Sequence, residues 1–314
     1  MARIILRPTG NMGNHMLQYM FALNVQRLAT KNVELYGQKL DMWGLTKAIP
    51  DDVSVKLAKI RDYNLDVRFI AKLVSSGLIK DAELRGMGMR VSNYASRQFY
   101  GEIFRANELS VSGFGPENIV INVRGAEILG SKNHDYGPMP LSFIDRVISH
   151  TGLKPIFLGQ LGDDFYSERL RKTYSQAEFH PSSGALADFE RVRRSVHVAV
   201  SVSTFSWLAG WLSDAKSVHL PVSGIFNPLQ RPDIDLLPAD DDRYVFYDFP
   251  IRKWDASPGQ IEDLWANHIH AVLPGAEIDK RKADAERKVR MRMLQRKIEI
   301  ALRVVGEPVA GLVR

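Results

Sequence analysis

The sequence predicts an α/β protein, with parallel sheets flanked by helices and a basic helix at the C-terminal end. Three observations carry this. The apolar run "RIIL" (3–6) passes through "PTGNMGN" (8–14) into a helical rhythm, a strand-to-helix handover built on glycine and asparagine. From residue 118 onward, short apolar runs alternate with helical stretches at the spacing of β–α–β units. Residues 279–303 hold ten Lys/Arg against four Asp/Glu on a helical pattern.

Taken in order, residues 3–6 read as a buried strand and residues 13–30 as a helix, with Leu17, Phe21, Ala22, Val25 and Leu28 on one face. "VELYG" (33–37) is a second strand, residues 53–80 read as mostly helical, and residues 85–106 begin irregular and end helical. The Gly/Pro turn in "SVSGFGPENIVINV" (110–123) marks a boundary and leads into the strand "IVINV". Then follow a helix (141–151), a strand (155–159), a helix (164–172), a short strand (178–180) and a helix (185–194). A strand (197–202), a helix (205–213) and a strand (217–221) complete the alternation. "SPGQIEDLWANHIHAVLPG" (257–275) reads as one helix opened by Ser257-Pro258 and closed by Pro274-Gly275. The expected domains are 1–110, 111–275 and a helical tail, 276–314.

The chain has 314 residues, 45% hydrophobic and 25% charged, within the range of folded proteins. It contains no cysteine, which excludes a disulfide framework, a thiolate nucleophile and a thiolate-bound zinc. Neither a secretory leader nor a spanning helix is seen, so a cytoplasmic location is expected. The net charge of +6 lies entirely in residues 279–303, since the remainder carries 42−10 = 32 basic and 36−4 = 32 acidic residues. A neutral body argues against nucleic acid as a ligand.

Three stretches at strand ends could carry chemistry. Gly13, Asn14 and His15 lie in "GNMGNH" (10–15), which is neither a P-loop nor a dinucleotide fingerprint; a structural turn and a phosphate site are both open readings. Arg124 closes the strand of "INVRGAEIL" (121–129), with Glu127 three residues on; it suits either a diphosphate or an interdomain ion pair. Ser203, Thr204, Phe205 and Ser206 open a helix in "AVSVSTFSWLAGWL" (199–212), where hydroxyls serve phosphate binding or ordinary capping. Trp207 and Trp211, four apart, are expected in the core.

In order and spacing these stretches resemble the fucosyltransferase superfamily, in particular bacterial α-1,2-fucosyltransferase-like proteins (glycosyltransferase family 11-like). The family pattern GxxGNQxFQYAFxL stands here as "GNMGNHMLQYMFAL", and (S/N)SxFSWWxAWL as "SVSTFSWLAGWL". HxRRGD corresponds to "NVRGAE", where only Arg124 is unchanged; Asn122, Gly125, Ala126 and Glu127 replace the His, second Arg, Gly and Asp. The resemblance spans residues 4–221 and is weakest between 35 and 110.

It implies a GT-B-like fold, two Rossmann-like α/β domains facing a cleft, and inverting, metal-independent transfer of fucose from GDP-fucose. Gly13, Asn14, His15, Asn122 and residues 203–206 would contact the donor, and Arg124 would neutralise the departing diphosphate. Glu127 matches the family's acidic position and is a candidate base for the acceptor hydroxyl. His134 and Asp135, in "NHDYGPMP" (133–140), are others, though that loop also reads as a plain turn. Asp164, beside Asp163 in "GQLGDDF" (159–165), would reach the nucleoside or cap the next helix. No metal site is expected: "PDID" (232–235) and "DDD" (240–242) read as solvated acidic loops. No cofactor is implied beyond the donor, and the acceptor would be a surface-polysaccharide, lipooligosaccharide or lipid-linked glycan. The alternatives are a different nucleotide sugar, or a non-catalytic sugar-nucleotide or glycan binder on the same fold.

The tail (278–305) reads as an amphipathic helix with Val289, Met293, Ile298, Ala301, Leu302 and Val305 near one stripe. It could pack back on the protein, self-associate, or lie on anionic lipid at the inner face of a membrane.

Overall fold

The first strand pairs in parallel with two neighbours, which sets the architecture of the N-terminal part of the computed structural model. The structure describes residues 1–53, 57–106, 109–130 and 134–309, with side chains to 302. Asn133, residues 310–314 and the Val305 side chain lie outside this description. The chain divides into two units, one of residues 1–105, 233–236 and 284–314, the other of residues 106–232 and 237–283.

In unit 1, β1 (Ala2–Leu6) leads to α1 (Met12–Leu28) and β2 (Val33–Tyr36). β3 (Ala58–Ile60), α2 (Val67–Ser76), β4 (Asp81–Leu84) and α3 (Arg97–Ile103) follow. The sheet is wholly parallel in the order β2-β1-β4-β3. Ile4, Ile5 and Leu6 are buried beneath α1, whose Leu17, Phe21, Ala22 and Val25 are buried as their spacing predicts. Leu28 departs from that face and is 46% exposed, because the helix ends there. The stretch read as helical over 53–80 is a correction: among its described residues the one helix is α2, between β3 and β4. A strand as short as "AKI" has no periodicity of its own; its pairing with β4 makes it one. α2 starts where Asp66 accepts from the Phe69 N–H at 3.0 Å and stops at Gly77.

Unit 2 contains β5 (Asn118–Val123), α4 (Leu141–Thr151), β6 (Lys154–Gly159), α5 (Phe165–Thr173) and β7 (Glu178–Pro181). It continues with α6 (Ala185–Arg193), β8 (His197–Ala199), α7 (Thr204–Trp211), β9 (Ser217–Val222), β10 (Tyr244–Asp248), α8 (Pro258–Asp263) and β11 (Val272–Leu273). The seven-stranded sheet runs β11-β10-β9-β8-β5-β6-β7. β5 to β10 are parallel and β11 is antiparallel at the edge. Counted from β5, the parallel strands stand in the order 3-2-1-4-5-6, the doubly wound arrangement. Trp207 and Trp211 stack at 5.3 Å within the core.

Two expectations change in this unit. The strand read over 197–202 ends at Ala199; Val200 still donates to the His219 carbonyl at 3.0 Å, and the chain then turns into α7. The single helix read over 257–275 is only α8, and residues 272–273 instead pair with β10, a strand that hydropathy alone did not single out. α9 (Gly275–Val309) belongs to unit 2 up to Ala283 and to unit 1 from Asp284 onward. In unit 1, Lys297 Nζ meets Asp66 at 2.5 Å and Arg296 donates to the Arg61 carbonyl at 2.7 Å. In unit 2, Arg281 pairs with Asp248 at 2.7 Å.

Candidate functional site

β5 is the central strand of the unit 2 sheet, and Ile119, Val120, Ile121 and Val123 are all buried. Asn122 interrupts this apolar run at 5% exposure. A buried amide costs about 1–3 kcal/mol when left unpaired. Asn122 avoids this by donating to the Leu158 carbonyl at 3.3 Å and accepting from Ser201 Oγ at 3.1 Å. Ser201 follows β8, so this bond ties the ends of β5 and β8 together. These are the two strands between which the order reverses, where doubly wound sheets open a crevice at the C-terminal edge.

Arg124 and the start of α7 both lie at that edge. Arg124 Nη2 meets Glu127 Oε1 at 2.6 Å, while its Nε is buried without a hydrogen-bond partner. The Arg–Glu pair is thus local, closed within one turn. Gln160, just past β6, donates to Glu127 Oε2 at 3.2 Å and accepts from the Gly125 N–H at 3.1 Å. Between Arg124 and Glu127 the backbone is left-handed at Ala126 (φ +48). An L-residue there costs roughly 1–2 kcal/mol, a strain held by the surrounding hydrogen bonds.

At the start of α7, Ser203 Oγ caps the helix by accepting from the Ser206 N–H at 3.0 Å. Ser206 Oγ accepts from the Ser201 N–H at 3.0 Å. Both hydroxyls build the turn, and both residues are buried, as is Thr204; Phe205 is half-buried. What the turn offers a ligand is therefore the positive end of α7. Asp164 caps α5, accepting from the N–H groups of Tyr166 (3.0 Å) and Ser167 (2.8 Å) and from Ser167 Oγ (2.8 Å). Asp163 beside it is exposed.

Beside this crevice a cavity of about 340 Å³ opens at the ends of β8, β9 and β10, with Val202, Ser223, Gly224 and Phe249 on its wall. Trp254 lines it and is itself locked: its indole N–H donates to the Ile128 carbonyl at 2.9 Å and its backbone N–H to the His134 carbonyl at 3.0 Å. His134 lines the same cavity, with Nδ1 3.0 Å from the Trp254 carbonyl. Asp135 is bound to Arg231 at 2.7 Å and Gln230 at 3.0 Å. His270 stacks on Phe249 at 4.2 Å, and its pKa is lowered, first by burial. His268, 2.8 Å from Asp263, also lines the cavity, whose wall mixes polar and apolar side chains. Such a mixture suits a flat, polar-edged ring.

In unit 1, Gly10 adopts φ +78 and a Cβ there would lie 2.5 Å from Asn14 Nδ2, so this turn accommodates glycine alone without adjustment. Gly13 is buried within the first turn of α1, Asn14 is half-buried, and His15 Nδ1 lies 3.4 Å from the Lys39 carbonyl. Asn11, the N-cap, makes no side-chain capping bond.

The structure thus brings Asn122, Arg124, Glu127 and the α7 start to one edge of the unit 2 sheet, with His134 in the adjoining cavity. Sequence reasoning missed Ser201, Gln160, Trp254, Phe249 and His270. Gln160 follows directly on β6, a signal available in the sequence; Ser201 falls inside the strand expected over 197–202, and the others come from loops with no distinguishing pattern. Among the described residues no group of three or more His, Asp or Glu stands as a metal ion would need. Of the acidic loops, Asp241 grips Arg243 through both oxygens, and the backbone of Asp235 pairs with Arg90.

No family model matches the chain, and no curated protein matches it. Among solved structures, it is similar to the dodecameric iron-containing heptosyltransferase TibC in complex with ADP-D-beta-D-heptose. The TM-score is 0.43 at 14% identity, over 92% of this chain and 77% of that one. The dodecameric iron-containing glycosyltransferase TibC from enterotoxigenic E. coli H10407 is similar with the same values. No residue role passes from either to this chain.

Proposed function

We propose that the chain is a glycosyltransferase that takes its donor, a nucleotide sugar, at the C-terminal edge of the unit 2 sheet. The observation that carries this is the meeting of Arg124 and the α7 start at the strand reversal, with the 340 Å³ cavity opening from Val202 next to it. The nucleoside would occupy the cavity against Trp254 and Phe249. The diphosphate would lie along the α7 start and Arg124. Breaking the glycosidic bond leaves negative charge on the β-phosphate, and Arg124 carries an unclaimed Nε–H with which to meet it. Glu127, half exposed and already on Arg124, would accept the proton of the acceptor hydroxyl once the phosphate draws the arginine away. Within this reading the donor is GDP-fucose, on the strength of the first and third motifs.

The test is a thermal-shift panel of GDP-, ADP-, UDP-, dTDP- and CMP-sugars, followed by donor hydrolysis. A ligand at about 100 times its Kd stabilises the native state by about 2.7 kcal/mol. GDP-fucose is expected to give the largest shift and to be hydrolysed. Stabilisation by another nucleotide sugar alone would overturn the fucosyl assignment, and stabilisation by none would overturn the transferase.

The proposal extends to where the protein works. In α9, Met291, Leu294, Ile298 and Leu302 are 66%, 51%, 51% and 67% exposed and repeat every three or four residues. Exposed Arg287, Lys288, Arg290 and Arg292 flank this stripe, while Val289 and Ile300 are buried. Two copies pairing through it would bring those cations together, whereas an anionic lipid surface would neutralise them. Among the described residues no helix is long and apolar enough to cross a membrane, so such contact would be peripheral.

A further inference from the structure

Unit 1 has a cavity of its own, of about 430 Å³, at the C-terminal ends of β1 and β2. Its wall carries Arg7, Lys39, Lys47 and Arg85, and among the described residues none that lines it is a carboxylate. Arg7 and Arg85 share Glu83, a buried acid behind them, so one negative charge offsets four positive ones. Backbone geometry holds this wall in place. Gly37, at φ +78, donates to the Lys47 carbonyl at 2.8 Å, and a Cβ on it would lie 2.4 Å from the Leu6 carbonyl oxygen. Lys47 is further fixed with its ammonium 4.0 Å over the Tyr36 ring.

Gln38 supplies the second, independent observation. It is 8% exposed, lines the cavity, and its Oε1 is buried with no hydrogen-bond partner. An unpaired buried carbonyl oxygen is costly unless a ligand completes it. It asks for a donor, whereas the cations around it ask for an anion. A simple anion satisfies only the second demand and a neutral sugar only the first. A hydroxylated anion satisfies both.

We propose that this cavity binds an acidic sugar, a ring bearing a carboxylate or phosphate, with a hydroxyl donating to Gln38 Oε1 and the anionic group among Lys39, Lys47 and the two arginines. Resting on the transferase reading above, this assigns the acceptor to the acidic glycans; the binding itself is independent of donor chemistry.

The experiment follows backbone amide shifts of Gly37, Gln38 and Lys39 in the full chain by NMR. Glucuronate, glucose, sulfate and GDP are titrated separately, with no donor sugar present. Glucuronate is expected to shift these amides and to bind at least about tenfold more tightly than glucose or sulfate. The K39Q/K47Q double variant should lose about tenfold in glucuronate affinity as two cations leave the wall. Its spectrum elsewhere should be unchanged. Equal binding of glucuronate and sulfate, or wild-type affinity in the double variant, would overturn the proposal. So would GDP shifting the same amides and displacing glucuronate, because the cavity would then be a nucleotide site. If these amides respond as expected but no donor is hydrolysed, the transferase reading fails and the acidic-sugar site stands.

Discussion

Under the proposed transfer Arg124 is the residue to test first, because its guanidinium lies at the reversal of strand order with Nη2 on Glu127 and Nε without a hydrogen-bond partner. Replacing a group that meets developing charge typically costs about 3–4 kcal/mol of transition-state stabilisation, or a factor of about 10²–10³ in turnover. Arg124→Ala is therefore expected to lower donor turnover by that factor with an unchanged circular dichroism spectrum; turnover within about threefold of wild type would remove Arg124 from the mechanism. A second residue governs pH behaviour. His219 is buried with Nδ1 2.9 Å from the Tyr247 hydroxyl, and its pKa is pushed from 6.5 to about 3, by burial first and then by His150 and His197. Above pH 6.5 neither state is charged at this group and it has no effect. As the pH falls below 6.5 the unfolded chain takes up a proton that the folded one refuses, so stability declines until about pH 3. Thermal midpoints measured between pH 7 and 4 should fall more steeply for wild type than for His219→Gln; identical slopes would refute the assignment.

At the scale of elements, α9 shows how one helix serves two masters. Its inner face carries Val289 and Ile300 into the protein and Lys297 onto Asp66, which also caps α2. Its outer face carries Met291, Leu294, Ile298 and Leu302. Deleting the helix would expose the inner contacts, so point changes on the outer face are the sharper probe. Leu294→Glu with Ile298→Glu should sharply reduce co-sedimentation with vesicles rich in phosphatidylserine while leaving the thermal midpoint in place, as surface changes cost within about 0.5 kcal/mol. Equal partitioning would exclude lipid contact through this face. The stripe read from the sequence mixed the two faces, since Val289 belongs inside while Ile298 and Leu302 belong outside. Hydropathy marks a residue as apolar, and only packing says which apolar residues found a partner.

Over the whole molecule, charge is divided as the sequence divides it, with a neutral body and a net of +6 in residues 279–303. Changing Arg287, Lys288, Arg290 and Arg292 together to Gln leaves 6−4 = +2. Retention on a cation exchanger should then drop to near that of a weakly charged protein. Retention that hardly changes would mean that a basic patch elsewhere dominates. The fold was legible in long, regular segments such as α4, whose bounds coincide with the spacing of its apolar residues, and in the alternation from β5 to β9. It was not legible in β3, β10 and β11, where pairing with a neighbour, and not local pattern, makes the strand.

The candidate site divides along the same line. Arg124, Glu127 and the start of the 203–206 turn could be picked out from one dimension, because each stands within four residues of a strand end and strand ends are where α/β sheets meet ligands. Tertiary structure alone decided that the Ser203 and Ser206 hydroxyls are turned to building the helix start, that Asp135 is claimed by Arg231, and that Trp254, Phe249 and His270 gather around one cavity. The reason is physical. A residue's chemical type and its local conformation follow from near neighbours in the chain, but which partner satisfies a hydrogen bond is settled by segments up to a hundred residues or more away, as for His134 and Trp254.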